Sequence, residues 1–147
     1  DIDENLPDET IRFKIRDEYL RDSTVTVVLV GTETRRRKHI DWEIYSSMRD
    51  GPINKRSGIL VVQLPSTSPT YFTAAHSEEK EEVYPEQTTW LSISERSTYE
   101  ARYPYLSDRL IDNLLEPKAK MSVTTWDKIT ADLNRLPLMI DCAYNAR

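Results

Sequence analysis

The sequence predicts an α/β fold built on a parallel sheet, and two kinds of segment carry that prediction. Val25–Val30 and residues 59–64 are unbroken aliphatic runs, a pattern typical of strands buried on both faces of a parallel sheet. Between them, Ile40, Ile44 and Met48 recur at the spacing of one helical face. A strand, a helix and a second strand in this order predict a doubly wound sheet, whose ligands lie beyond the carboxyl ends of the strands.

The flanking segments predict helices and one long excursion. Residues 11–19 carry apolar side chains at every fourth position, which predicts a helix before the first strand. Residues 66–105 lose all periodicity and predict an excursion with at most one strand. Residues 106–115 predict a short helix, and residues 126–144 predict a closing helix that Pro137 either starts or kinks.

Length and composition limit the class of protein. A chain of 147 residues is of the usual size for one domain, so we expect residues 1–147 to form a single domain. Hydrophobic residues make up 38% and charged residues 31%, which favours a folded globular protein. The formal net charge of -5 offers no general attraction to nucleic acid. No apolar run approaches the roughly 20 residues of a membrane-spanning helix, so no membrane partner is expected.

The cysteine and histidine residues limit the kinds of disulfide and metal site that the chain can form. Cys142 is the one cysteine, so no intrachain disulfide can form, and a reducing, cytoplasmic location is predicted. The two histidines, His39 and His76, lie far apart and match no metal-ligand spacing. We therefore expect no metal site.

A resemblance to a known family lies in the first predicted strand and the helix that follows it. Residues 23–48 read STVTVVLVGTETRRRKHIDWEIYSSM. The markers are the turn at Gly31 after a buried strand, a basic stretch, and the letters DWEI at positions 41–44. This segment resembles the TIR-like domain of ThsB proteins from Thoeris anti-phage defence systems. The resemblance implies a flavodoxin-like, TIR-like parallel sheet flanked by helices, whose N-terminal strand is not visible in this chain.

The resemblance also implies an activity. Members of the family cleave NAD at the bond between nicotinamide and ribose, and some cyclise the ADP-ribose product into a signal for a separate effector protein. NAD is then a substrate, and no cofactor is expected. The implied enzyme is an NAD glycohydrolase or ADP-ribosyl cyclase that forms homo-oligomers. The alternative left open is a TIR-like module that binds other proteins in signal transduction and performs no chemistry.

The catalytic glutamate of the family falls on Glu43. One carboxylate is sufficient for this reaction, because nicotinamide leaves as a neutral molecule and the ribose passes through an oxocarbenium-like state that a negative charge stabilises. Helical spacing from Ile40 and Ile44 predicts that Glu43 is half-buried at the edge of the apolar stripe. From the residues alone, an ordinary rim carboxylate is the competing interpretation. Wider TIR enzymes often carry Trp-Cys ahead of this glutamate, where this chain has His39 and Ile40.

Three further residues are candidates for binding substrate. His39 lies one turn before Glu43 and either lines the same cleft or packs at the surface. Arg36, within the basic run 35–38, either binds the NAD pyrophosphate or is a solvated charge. Thr32 follows the strand and either contacts substrate or shapes the turn.

Overall fold

The computed structural model describes residues 25–50, 56–117 and 120–147, together with positions 7 and 10. Helices follow each strand along this part of the chain. In order they are β1 (Val25–Val30), a 3-10 turn (Thr34–Arg36), α1 (Lys38–Ser47), β2 (Gly58–Gln63), a second 3-10 turn (Pro65–Thr67), α2 (Ser77–Glu82), α3 (Arg96–Arg102), α4 (Asp108–Leu115), β3 (Ser122–Thr125), α5 (Trp126–Ala131) and α6 (Arg135–Asn145).

The described strands form one parallel sheet with β2 at its centre. The strand order is β1, β2, β3. Val25 aligns with Gly58 across the first pair, and Leu60 aligns with Ser122 across the second. All six residues of β2 are buried. The predicted α/β fold with a parallel sheet is confirmed.

Helices pack on both faces of the sheet. One core cluster joins it to α1, α3 and α4, through Ile44, Tyr99 and Leu110 respectively. The opposite cluster joins it to α5 and α6, through Ile129 and Met139. Because successive strand residues point to opposite faces, β2 contributes Ile59 and Val61 to the first cluster and Leu60 and Val62 to the second. The described residues thus form a parallel sheet flanked by helices, and its strand order has no reversal among them, so a doubly wound order stays a prediction.

The outer strand β1 differs from the prediction of burial on both faces. Val28 and Val30 point into the core and are at most 5% exposed, whereas Val27 and Leu29 are 38% and 47% exposed. Among the described strands β1 lies at the edge, and α6 packs more closely on β2 than on β1. The described residues therefore cover the second face of β1 less completely than they cover β2.

The predicted excursion, residues 66–105, is more ordered than its sequence pattern indicates. Thr73 forms a single antiparallel bridge with Val123, which adds a short edge beside β3. The excursion also contains α2 and α3. Tyr84 and Tyr99 are at most 7% exposed, so the segment contributes to the core.

The C-terminal prediction is right for one helix and wrong for the other. The helix predicted at 106–115 is confirmed as α4. The single closing helix is wrong, because Asp132 adopts extended dihedral angles and separates α5 from α6. Pro137 lies in the first turn of α6, where a missing amide proton is tolerated. β3 was not predicted, and the helix predicted at 11–19 lies outside the described residues.

A contact at Gly58 gives a test of this packing. A Cβ atom at Gly58 would overlap the backbone carbonyl of Ala143 in α6, and backbone cannot move aside as a flexible side chain can. We expect Gly58→Ala to lower the melting temperature by roughly 5 °C or more. Gly31→Ala is the matched control, since its nearest neighbours would lie at 3.6 to 3.8 Å, and it should melt close to the parent. Equal melting temperatures for the two variants would contradict the packing of α6 on β2.

Candidate functional site

The carboxyl end of β1 turns into α1 through a short, internally bonded loop. The Gly31 amide donates a hydrogen bond to Thr34 Oγ1 at 2.8 Å. Leu64 and Ser66, in the loop after β2, lie within 3.8 Å of the position that a Gly31 Cβ would occupy. The loops after two neighbouring parallel strands therefore meet at the edge of the sheet where such folds bind ligands.

The cleft at this meeting point is small. Its volume is about 10 Å³, and its walls include Thr34, Arg35, Asp41 and Tyr105. That is room for about one water molecule. The residues that form this cleft do not enclose a ligand of nucleotide size.

The three predicted binding residues belong to the connection from β1 into the first turn of α1. Thr32, Arg36 and His39 are all exposed. Arg36 Nη1 lies 3.4 Å from Glu33 Oε2, and both side chains are well exposed to solvent. His39 packs edge-on against the ring of Trp42, with 5.2 Å between the ring centroids. These residues lie on one surface of the domain, beside the edge described above.

Glu43 is exposed, which corrects the prediction that it is half-buried. In the first half of α1 Trp42 alone is buried, whereas Ile44, Ser46 and Ser47 are buried further along. Glu43 lies on the solvent-facing side of the helix although its neighbours Trp42 and Ile44 are buried, so spacing from the apolar stripe overestimates its burial. Its backbone carbonyl accepts a hydrogen bond from Ser47 Oγ at 2.9 Å.

Part of the basic run 35–38 is held by contacts within the protein. Arg35 Nη1 donates to the carbonyl oxygen of Pro104 at 2.9 Å. Lys38 Nζ lies 4.6 Å from the centroid of the Trp42 ring, within the range of a cation–π interaction. These two side chains tie the β1–α1 connection to the rest of the domain.

An ion pair that the sequence analysis missed joins α1 to α4. Arg109 Nε lies 3.0 Å from Asp41 Oδ1, and Arg109 Nη2 lies 3.1 Å from Asp41 Oδ2. The guanidinium carbon also lies 4.5 Å from the centroid of the Tyr45 ring. This two-point contact fixes the position of α1 two residues from Glu43. The partners are 68 residues apart, and no local pattern indicates the pair.

The described ranges hold neither a candidate metal centre nor a membrane-spanning helix. No group of three or more His, Cys, Asp or Glu side chains there is arranged to hold a metal ion. Within the same ranges, every helix is too short or too polar to cross a lipid bilayer.

Comparison with known families tests the resemblance seen in residues 23–48. Residues 1–69 match the family described as Thoeris protein ThsB, TIR-like domain. This segment is similar to the ThsB TIR-like family. Neither a curated protein nor a solved structure matches the chain.

The ThsB match contains the elements that form the candidate site. It includes β1, the turn after it, the whole of α1, and β2. Glu43 therefore lies within the matched segment, together with Thr32, Arg36 and His39. The cation that binds Asp41 comes from outside the match, at Arg109.

A buried glutamate in α2 is a second feature that the sequence analysis did not single out. Glu79 is completely buried, and Ser122 Oγ donates a hydrogen bond to its Oε1 at 2.7 Å. Its Oε2 has no hydrogen-bond partner among the described residues. His76 Nε2 lies 3.7 Å from Oε1, which is too long for a good hydrogen bond.

Burial controls the protonation of this group. Burial raises the pKa of Glu79 to about 7, although the hydrogen bond from Ser122 acts in the opposite direction. Burial and the charge of Lys120 lower the pKa of His76, so this imidazole supplies no compensating positive charge near neutral pH. The Cys142 thiol stays protonated as well, because burial raises its pKa to about 11. The region thus holds a carboxyl group that changes charge near pH 7.

Glu79→Gln should remove a pH dependence of stability. The folded state holds the Glu79 proton more tightly than the unfolded state, so its stabilising contribution is present below about pH 4.5 and is lost as the pH rises through about 7. Glutamine resembles the protonated acid and keeps the acceptor for Ser122. We expect parent and variant to have similar stability at pH 5 and the variant to be more stable at pH 8, by on the order of 3 kcal/mol. Urea denaturation at both pH values measures this difference, and a pH-independent difference would contradict it.

The Asp41–Arg109 pair should stabilise the fold measurably. We expect a double-mutant cycle of Asp41→Asn and Arg109→Gln to give a coupling free energy of about 1 kcal/mol, because the pair is partly buried and makes two hydrogen bonds. The more exposed pair of Glu33 and Arg36 is the control, and its cycle should give a coupling near zero. Equal couplings in the two cycles would show that the two-point contact adds nothing.

Proposed function

We propose that this chain is a TIR-like signalling enzyme of anti-phage defence that cleaves NAD at the nicotinamide–ribose bond. The observation that carries the proposal is the ThsB family match, which contains Glu43 on the helix after β1. The product is an ADP-ribose derivative, linear or cyclised. It acts as a signal to a separate effector protein in the cytoplasm.

Glu43 is the proposed catalytic residue. Loss of nicotinamide from NAD leaves positive charge on the ribose, and the leaving group departs as a neutral molecule without protonation. A single carboxylate beside the ribose stabilises that charge and accepts hydrogen bonds from the ribose hydroxyls. The partner of Arg109, Asp41, holds α1 in place and is not assigned a chemical step.

The proposed substrate contacts surround the start of α1. The amino terminus of a helix favours anions, and Arg36 in the preceding turn adds a guanidinium for the pyrophosphate. His39, one turn before Glu43, lies beside the bound dinucleotide, and Thr32 offers a hydroxyl after β1. All three are exposed and therefore accessible to a substrate.

The exposure of Glu43 indicates what else the proposed enzyme requires. A carboxylate in bulk water stabilises a nearby cation weakly, so catalysis needs a surface that excludes water from Glu43. The small cleft after β1 does not supply one. We propose that a second copy of the chain covers this surface in a homo-oligomer, which would couple assembly to activity.

The alternative function is an interaction module without catalysis. The observations that favour it are the exposure of Glu43 and the exposed apolar side chains of Val27 and Leu29 on β1. Apolar side chains at the edge of a sheet are common where two proteins meet. Both functions use the same scaffold, so the test must detect the chemistry itself.

Glu43→Gln should abolish most of the reaction without unfolding the protein. The change removes the negative charge and keeps the volume of an exposed side chain. We expect the rate of nicotinamide release to fall on the order of 100-fold or more, as it does when other preorganised electrostatic contacts are removed. The assay measures nicotinamide and NAD in phage-infected cells that carry the full-length protein and its defence system. Glu82→Gln, an exposed glutamate on α2, is the control and should match the parent.

The outcomes separate the two functions. Equal nicotinamide release by folded Glu43→Gln and parent would show that Glu43 is not catalytic. If infected cells are protected and the parent releases no nicotinamide, the interaction module is correct and the enzyme proposal fails.

A further inference from the structure

A cavity of about 390 Å³ lies in a part of the chain to which no function has been assigned. Its walls come from residues 70–74 at the edge of the sheet, from residues 87–93, and from side chains on α2 and α3. The volume falls within the range of small-molecule sites in proteins, roughly 300 to 1,000 Å³. None of Thr32, Arg36, His39 and Glu43 lines it, and it begins where the ThsB match ends.

The cavity is positively charged in an acidic protein. Lys80 and Arg102 line it, and no aspartate or glutamate does. The whole chain has 25 acidic residues and 20 Lys and Arg residues, so a lining without acids departs from its composition. Within the described ranges, neither Lys80 nor Arg102 forms an ion pair with a carboxylate. Two cations without acidic partners beside one cavity favour an anionic ligand.

Aromatic rings form the other part of the wall. The rings of Phe72 and Tyr84 stack with 4.1 Å between centroids and 3° between planes. Trp90 lies edge-on to both, at 5.7 and 5.8 Å. Tyr84 is buried, so this cluster is fixed in place, while Phe72 and Trp90 face the cavity. A rigid aromatic wall suits a flat ring, because stacking then costs little conformational entropy.

The cations and the rings are close enough to act on one ligand. Lys80 Nζ lies 5.3 Å from the centroid of the Trp90 ring. The Arg102 guanidinium carbon lies 4.5 Å from the centroid of the Tyr71 ring, which also lines the cavity. A ligand that stacks on Trp90 thus has an ammonium group within a few ångströms of its ring, where an attached anionic group would be neutralised.

We propose that this cavity binds a small anion that carries a flat ring, of the size and chemistry of a nucleoside monophosphate. The ring packs against Trp90 and Phe72. The phosphate lies between Lys80 and Arg102. Gln87 and Thr89, on the same wall, offer hydrogen-bonding groups for the edge of the ring. The site is separate from the proposed catalytic edge and does not depend on NAD cleavage.

Titration of the full chain with AMP, GMP, CMP and UMP tests the proposal, with isothermal calorimetry and tryptophan fluorescence as readouts. We expect at least one nucleotide to bind saturably with a Kd below about 1 mM. The corresponding nucleoside, which lacks the phosphate, should bind at least tenfold more weakly than the nucleotide. Inorganic phosphate, which lacks the ring, should also bind at least tenfold more weakly. Saturable binding by none of the four nucleotides, or equal affinity for nucleotide and nucleoside, would overturn the proposal.

Variants locate the binding. Lys80→Gln and Arg102→Gln should each weaken nucleotide binding at least fivefold, and Trp90→Leu should weaken both the nucleotide and its nucleoside. Arg147→Gln is the matched control, because the Arg147 guanidinium carbon lies 4.1 Å from the Tyr144 ring centroid, outside the cavity, and its affinity should equal that of the parent. Parent-like affinity in both cation variants would place the binding elsewhere and reject the site. The comparison of nucleotide with nucleoside uses the parent protein, so it stands even if a variant fails to fold.

Discussion

The burial of β2 on both faces is the constraint on which the rest of the arrangement depends. Ile59 and Val61 point to one side of the sheet, and Leu60 and Val62 point to the other, so each side needs its own layer of helices. On one side α6 approaches so closely that Gly58 has no room for a side chain. With β2 held this way, the loops after β1 and β2 meet at one edge and form the candidate site.

The sequence predicts the elements whose pattern is local and fails for those that depend on distant partners. β1, α1 and β2 each show an unbroken apolar run or a helical stripe, and all three are confirmed. β3 has four residues, two of them polar and buried. Ser122 hydrogen-bonds to Glu79, and Thr124 hydrogen-bonds to the Tyr84 hydroxyl at 2.7 Å. Such a strand is stable because partners some 40 residues away satisfy its hydroxyl groups, and no short window of sequence contains that information.

The same distinction applies to the candidate site. The turn at Gly31 and the helix with Glu43 were predicted from a short segment, and the family match includes that segment. The exposure of Glu43 was not predicted, because it depends on which side of α1 the rest of the domain covers. The pairing of Asp41 with Arg109 was not predicted either, since the α4 partner lies well beyond any local pattern. Position along the chain was thus easier to infer than the surroundings of each side chain.

The pairing of β2 with β3 affects how the chain can be divided into fragments. The family likeness stops at residue 69, yet Leu60 and Val61 of the matched segment align with Ser122 and Val123, far beyond it. A fragment cut at the limit of the likeness would keep β2 and lose one of its two neighbouring strands and four of its covering helices. Its central strand would then be a bare edge, prone to aggregation. The likeness therefore spans a region that is smaller than the unit that folds.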